Sequence, residues 1–175
     1  MDLQNTRNGP ADWLREIRQN YAHGNPRPLG GYLVTLGIYG AYVGGVALLL
    51  LRRPSRIPER IDVTDLALTG IATHKLSRML AKDPITSPLR APFTRFEEPS
   101  GDAEIHESVR GHGVAHAAGE LVTCPFCLAS WVATGLISGI VVLPRTTRLT
   151  CAVFTATTIS DTLQLAYSWL KSSAG

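Results

Sequence analysis

Two stretches without a charged side chain constrain this chain more than any other feature. Leu29 to Leu51 runs for 23 residues without Asp, Glu, Lys or Arg, and Pro125 to Pro144 for another 20. An uncharged apolar run of about 18 or more residues reads as a membrane-spanning helix, because ~20 residues at ~1.5 Å each cross a ~30 Å hydrocarbon layer. Composition points the same way. Charged residues are 18% and apolar residues 45% of the chain, against about 25% charged in an average soluble domain. A soluble globular domain, a disordered chain and a secreted disulfide scaffold are thereby excluded, and 175 residues suit one small multipass membrane protein.

The expected fold class is all-α, a multipass transmembrane helical bundle. Four spans are predicted at about 29–51, 61–80, 119–143 and 149–170, behind an N-terminal amphipathic helix. Residues 1–28 form a polar tail, in which Trp13, Leu14, Ile17 and Tyr21 recur at helical spacing while Arg15, Glu16, Arg18 and Gln19 take other faces. Such a helix lies in the headgroup region, and Gly24 and Pro26 end it. No secretory signal precedes the first span, which is expected to act as its own uncleaved insertion signal. In that span Gly37, Ala41 and Gly45 recur every four residues and Gly40 and Gly44 form a second row; small residues at this spacing let helix backbones approach closely in lipid.

Ile61–Leu80 carries Asp62, Asp65, His74, Lys75 and Arg78 around a short apolar middle, so it is expected to span inside the bundle rather than face lipid all round. Residues 81–118 read as a long loop, Pro-rich first and mobile from Glu98 to Gly113. Leu89, Phe93 and Phe96 interleave there with Arg90 and Arg95, a composition suited to an anionic leaflet. On the last span Thr150, Thr157, Asp161, Gln164 and Ser168 share a polar stripe that should face the bundle.

Four spans put both termini and the long loop on one side. Outside the spans that side carries nine Lys/Arg, Arg7, Arg15, Arg18, Arg27 and Lys171 among them; the other carries six, Arg52, Arg53, Arg56, Arg60, Arg145 and Arg148. The balance favours N-in and C-in at a cell membrane. Counting rise from the long-loop side puts His74 about 9 Å deep, Asp161 about 14 Å, Cys124 about 6 Å and Cys127 about 10 Å. Lys75, Arg78 and Glu120 fall in the same layer. One expectation is a structural ion pair of Asp161 with Lys75 or Arg78; the other is a polar intramembrane cluster of His74, Lys75, Arg78, Glu120 and Asp161 lining a pocket.

Cys124-Pro125-Phe126-Cys127 is the sharpest motif. Proline is favoured in a first helical turn, so Thr123 or Cys124 is a candidate N-cap, and a thiol there is acidified by the helix dipole. In a redox reading Cys124 attacks, Cys127 resolves, and Lys75 or Arg78 stabilises the thiolate. If the helix begins near Val114 instead, Pro125 only kinks it. No cofactor is expected, but zinc is the alternative: Cys124 and Cys127 with His74, or with His112 and His116, could make a site. Cys151 reads as a small packing residue.

Several strings resemble a known family. They are Ala72-Thr-His-Lys-Leu-Ser-Arg78, Ile85-Thr-Ser-Pro-Leu-Arg-Ala-Pro-Phe-Thr94, Gly119-Glu-Leu-Val-Thr-Cys-Pro-Phe-Cys127 with Trp131, and Ser160-Asp161. Over about residues 61–170 the chain is similar to an uncharacterised family of small bacterial integral membrane proteins, a domain of unknown function with some members tied to sporulation. The resemblance implies location and class, and no reaction. The first span and tail look like additions to that core.

No Gly-rich phosphate loop, His-Glu-x-x-His or Gly-x-Ser-x-Gly is present. The expected function is a non-enzymatic membrane-assembly or structural component, with a thiol redox protein or a metal site on the same thiols as alternatives. Expected partners are a bilayer with anionic headgroups and a homo-oligomer or membrane protein partner, and not nucleic acid.

Overall fold

The computed structural model describes residues 10–23, 27–52, 54, 57–101 and 103–173. Arg7, Gly24, Pro26, Arg53 and Arg56, and the side chains of Leu14 and Arg18, lie outside what is described. The order of elements is α1 (Pro10–Ala22), α2 (Leu29–Leu51), α3 (Val63–Lys82), a 3-10 turn (Pro84–Thr86), α4 (Ser87–Arg90), β1 (Thr94–Gly101), β2 (Glu104–Val109), α5 (Val114–Thr123), α6 (Pro125–Val142) and α7 (Pro144–Ser173).

Local chemistry sets the ends of α3. The Asp62 carboxylate accepts from the N–H groups of Thr64 and Asp65 at its start, satisfying donors that a helix leaves unpaired. Asp83 is extended at its end, as a residue before proline prefers.

Three expectations need correction. The fold is mostly helical but not all-α: Thr94 to Val109, running from the Pro-rich half of the expected loop into the half expected to be mobile, pairs as an antiparallel hairpin, Thr94 opposite Val109 and Gly101 opposite Glu104. The alternation of apolar and polar residues there is broken by irregular register after Phe96 and Pro99, which hides the strand period. The predicted span 119–143 is two helices, because Cys124 adopts φ −104°, ψ 104° before Pro125. Finally, among the described residues two helices rather than four are long and apolar enough to cross a membrane, α2 and α6. α3 is interrupted by Asp65, His74, Lys75 and Arg78, and α7 has a polar stripe.

α3 packs against both α6 and α7. Its buried face is Asp65, Thr69, Ala72, Thr73, Ser77 and Ala81, and α7 answers with Thr147, Cys151 and Thr155. Thr155 Oγ1 donates to the Leu68 carbonyl at 3.3 Å, and Thr69 Oγ1 lies 3.8 Å from Cys151 Sγ. The fully buried apolar residues among those described are Ala72, Ala81, Ala117 and Cys151, whereas Leu33, Leu36, Leu49, Leu66, Leu149 and Leu163 are exposed. The interior is therefore small and hydroxylic and the exterior large and apolar.

α2 lies against α5 and α6. At Gly31 an added Cβ would strike the Gly113 carbonyl and Ala117, so glycine is what lets α2 close on α5. Further along, Tyr39 and Tyr42 pack on Trp131 of α6, with ring centroids 4.9 and 5.9 Å away, and the Tyr39 hydroxyl is 3.0 Å from Thr134 Oγ1. Gly135 and Gly139 are used inside the fold, against Tyr42 and Thr147. Gly37, Gly40, Gly44 and Gly45 are not: a Cβ on any of them would meet open space.

Gly119 fixes α5 under the hairpin, where a Cβ would lie 2.9 Å from the Phe93 carbonyl and closer still to Val109. Gly119→Ala is expected to lose about 1–3 kcal/mol, the usual range for overpacking against atoms that cannot yield. Thermal unfolding in detergent beside Gly44→Ala, which faces open space, checks it; equal midpoints would contradict the contact.

Candidate functional site

The hairpin, α3 and α7 enclose a cavity of about 590 Å³ at the end of the bundle nearest the hairpin. Lys75 and Arg78 stand three residues apart on α3, hence on one helix face. Lys75 Nζ donates to Asp161 Oδ2 of α7 at 2.6 Å. Arg78 meets Glu104 at the start of β2 through two bonds, Nε to Oε1 at 2.6 Å and Nη2 to Oε2 at 2.8 Å. Glu104 reaches it because the hairpin turns sharply, with Gly101 at φ 138° and Ala103 at φ 61°. His74, Asp83, Thr158 and Gln164 also line the space.

The hairpin is tied down next to this cavity by a buried pair. Arg90, 1% exposed, donates from Nε to Glu107 Oε2 at 2.5 Å. Its other nitrogens donate to the carbonyls of Leu80 and Asp83, at 2.8 and 3.1 Å, and to Thr86 Oγ1 at 2.6 Å. One guanidinium thus caps the end of α3 and anchors β2. It does not reach an anionic leaflet, as its place among exposed aromatics suggests; Arg95, Leu89 and Phe96 remain on the surface.

The remaining charges go elsewhere. Glu120 of α5 accepts from the Tyr32 hydroxyl at 2.5 Å and from Arg27 Nη1 at 3.4 Å, with His116 Nε2 at 3.6 Å. It thus belongs to the α2–α5 contact and not to the cavity. At the opposite end of the bundle Arg148 of α7 grips the Asp65 carboxylate of α3, Nη2 to Oδ2 at 2.7 Å and Nε to Oδ1 at 2.9 Å.

Cys124 is the N-cap of α6, its Sγ accepting from the Cys127 N–H at 3.2 Å. The two cysteines lie side by side at disulfide-forming distance, with Cα atoms 5.2 Å apart, while Phe126 between them is 89% exposed. Neither cysteine lines the cavity. The sulfurs face each other, and among the described residues no three His, Cys, Asp or Glu side chains gather at metal-binding distance. The zinc sets drawn from His74, His112 and His116 are not assembled here. Cys151 is buried on α7.

Of the residues singled out from sequence, His74, Lys75, Arg78 and Asp161 share the cavity, whereas Glu120, Cys124 and Cys127 do not. Nothing in the sequence singles out Glu104, Glu107 or Tyr32. Their partners are 26, 17 and 88 residues away, and no local pattern marks a pairing that only a hairpin or a helix contact creates.

This small helical bundle, with two apolar helices and a hairpin-capped polar cavity, can be placed among known proteins. Residues 68–167 match a family described as a protein of unknown function, DUF1360, and the chain belongs to it. It is also 28% identical over 115 residues to the "Sporulation protein YjcA" of Bacillus subtilis (strain 168), covering 63% of this chain and 98% of that protein. No solved structure matches. The matched residues take in Lys75, Arg78, Arg90, Glu104, Glu107, Cys124, Cys127 and Asp161 and leave out α1 and α2.

Proposed function

We propose that this chain is a multipass integral membrane protein with a non-enzymatic, structural role in a membrane assembly. The observation that carries the reading is the inverted distribution of side chains: Ala, Thr, Ser and Cys inside and Leu, Ile and Val outside. In water this arrangement would leave the large apolar side chains solvated; in lipid it is the stable one, since small interior residues allow close packing and hydrocarbon solvates the rest. α2 alternates half-buried and exposed positions and α6 is half-buried along most of its length, so neither is enclosed by the rest of the chain. α3 and α7 are too polar to cross alone, but packed beside α6 they cross with it, the charges of Lys75 and Asp161 neutralising one another where the two helices meet.

In this reading α1 lies along the headgroups through Trp13, Ile17 and Tyr21, all exposed, and anionic lipid draws the basic surface. The N- and C-termini face the cytoplasm. The open stripe Gly37, Gly40, Gly44 on α2 seats a second membrane helix, from another copy or a partner. The name of the Bacillus subtilis relative supports placing such an assembly in sporulation where the host forms spores.

Gly37→Leu with Gly44→Leu is expected to shift the chain from oligomer to monomer in detergent while its melting temperature stays within about 2 °C, since substitutions away from internal contacts change stability by about 0.5 kcal/mol or less. Light scattering of the purified protein decides it. An unchanged oligomer, or a wild-type monomer, removes the stripe from the reading.

A second reading, thiol redox exchange at Cys124 and Cys127, is favoured by their pairing at the N-terminus of α6. Lys75 and Arg78 do not add to it, because each is held by a carboxylate of the cavity.

A further inference from the structure

We propose that the cavity between α3, α7 and the hairpin binds the headgroup of a zwitterionic aminophospholipid, with the phosphodiester on Lys75 and Arg78 and the primary ammonium on Asp161 and Glu104. This rests on the reading above that α3 and α7 lie in the bilayer. A volume of about 590 Å³ is ample for a headgroup, since small-ligand sites run from ~300 to ~1,000 Å³.

The charges select the ligand. Two cations, Lys75 and Arg78, face three carboxylates, Asp83, Glu104 and Asp161. A plain anion gains from the first set and is repelled by the second; a ligand carrying both signs satisfies both. Each ion pair also keeps unused capacity. The Lys75 ammonium has three donors and gives one to Asp161. Arg78 spends Nε and Nη2 on Glu104, leaving Nη1 for a phosphate oxygen. Asp161 engages Lys75 through Oδ2, so Oδ1 is available to a donor. A primary ammonium has N–H groups to give it, and a trimethylated one has none.

The surroundings select an amphiphile over a soluble molecule. Gln164 lies at the edge of the cavity and also borders a shallow, largely apolar surface of α7 with Ile159, Leu163 and Tyr167, so apolar helix surface on which an acyl chain can lie begins beside the polar recess. Tyr167 and Trp169, both exposed, are the residue types that settle at the membrane–water boundary. Asp161 lies six residues before Tyr167, about 9 Å along the helix, which sets the recess just beneath the headgroup layer.

The test is native mass spectrometry of the full chain in detergent with equimolar phosphatidylethanolamine, phosphatidylglycerol and phosphatidylcholine. Phosphatidylethanolamine adducts are expected to dominate by about tenfold, the worth of one charge-assisted hydrogen bond. Soluble glycerophosphoethanolamine at the same concentration should not displace them. Thr162→Phe, an exposed rim position on α7, fills the recess, and Asp161→Asn removes one of the two negative charges that face the ammonium; the first should erase the preference and the second should cut it several-fold. Equal binding of the three lipids, dominance of phosphatidylglycerol, displacement by the soluble headgroup, or a preference undiminished in either variant would overturn the proposal. Alkaline carbonate extraction of the same membranes separates the two failures. A chain released by carbonate defeats the bilayer reading, and a retained chain without lipid preference defeats this proposal alone.

Discussion

Arg90→Ala is expected to destabilise the protein by about 3–5 kcal/mol, the cost of breaking a buried ion pair by removing one partner, and to lower its melting temperature by roughly 10 °C. The size follows from how many groups one side chain satisfies. Glu107 would be left charged and buried, and the carbonyls of Leu80 and Asp83 would lose their donor at the end of α3. Pairing Arg90→Met with Glu107→Leu removes the stranded carboxylate and should recover part of the loss, but not the carbonyl bonds. Arg95→Ala, on an exposed residue of the same hairpin, should change stability by about 0.5 kcal/mol or less. Thermal unfolding of the four proteins in detergent gives the comparison; an Arg90 variant that melts like the Arg95 variant would show that the pair does not hold the hairpin.

Mild oxidation of native membranes is expected to hide Cys124 and Cys127 from a mass-tagged maleimide together, and a reductant to restore both. Their Cα atoms are 5.2 Å apart, inside the ~4.4–6.8 Å that a disulfide spans. Cys151, the third cysteine, should keep its tag under denaturing conditions throughout. The double variant Cys124→Ser, Cys127→Ser then shows one tag in every lane. Two tags that persist under oxidant would separate the cysteines, and a chelator-dependent gain would restore the metal alternative. The resting state also reports on orientation. Cytoplasmic thiols are kept reduced, so a pair found oxidised before treatment would place the hairpin side outside and reverse the orientation drawn from nine basic residues against six.

The helices were the legible part of this fold. α2 follows from an unbroken apolar run, α3 from a short apolar middle flanked by Asp62 and Asp65 at its start and Lys75 and Arg78 towards its end, and the start of α6 from Cys124-Pro125, all features that act within a few residues. The hairpin was not legible, since its register is broken twice and its strands bury few side chains. The charged layer was legible in depth only. Helical rise places His74, Lys75, Arg78, Glu120, Cys124, Cys127 and Asp161 at similar heights, but height says nothing about azimuth. Glu120 therefore turns toward Tyr32 and Arg27 while Asp161 turns toward Lys75.

By itself, then, the sequence determined that the chain is mostly helical, that the runs in α2 and α6 suit a bilayer although it indicated four spans, and that charge is gathered near one end of the bundle. Those properties depend on local hydrogen bonding and on transfer between water and hydrocarbon, both of which are set by residue type and spacing. The tertiary structure alone decided that Arg90 is an internal anchor, that Glu104 and Glu107 close the hairpin onto α3, that the glycine stripe of α2 stays open, and that the cysteines stand apart from the cavity. Each of those is a choice of partner across many residues of chain, fixed by the packing of the whole bundle and hairpin.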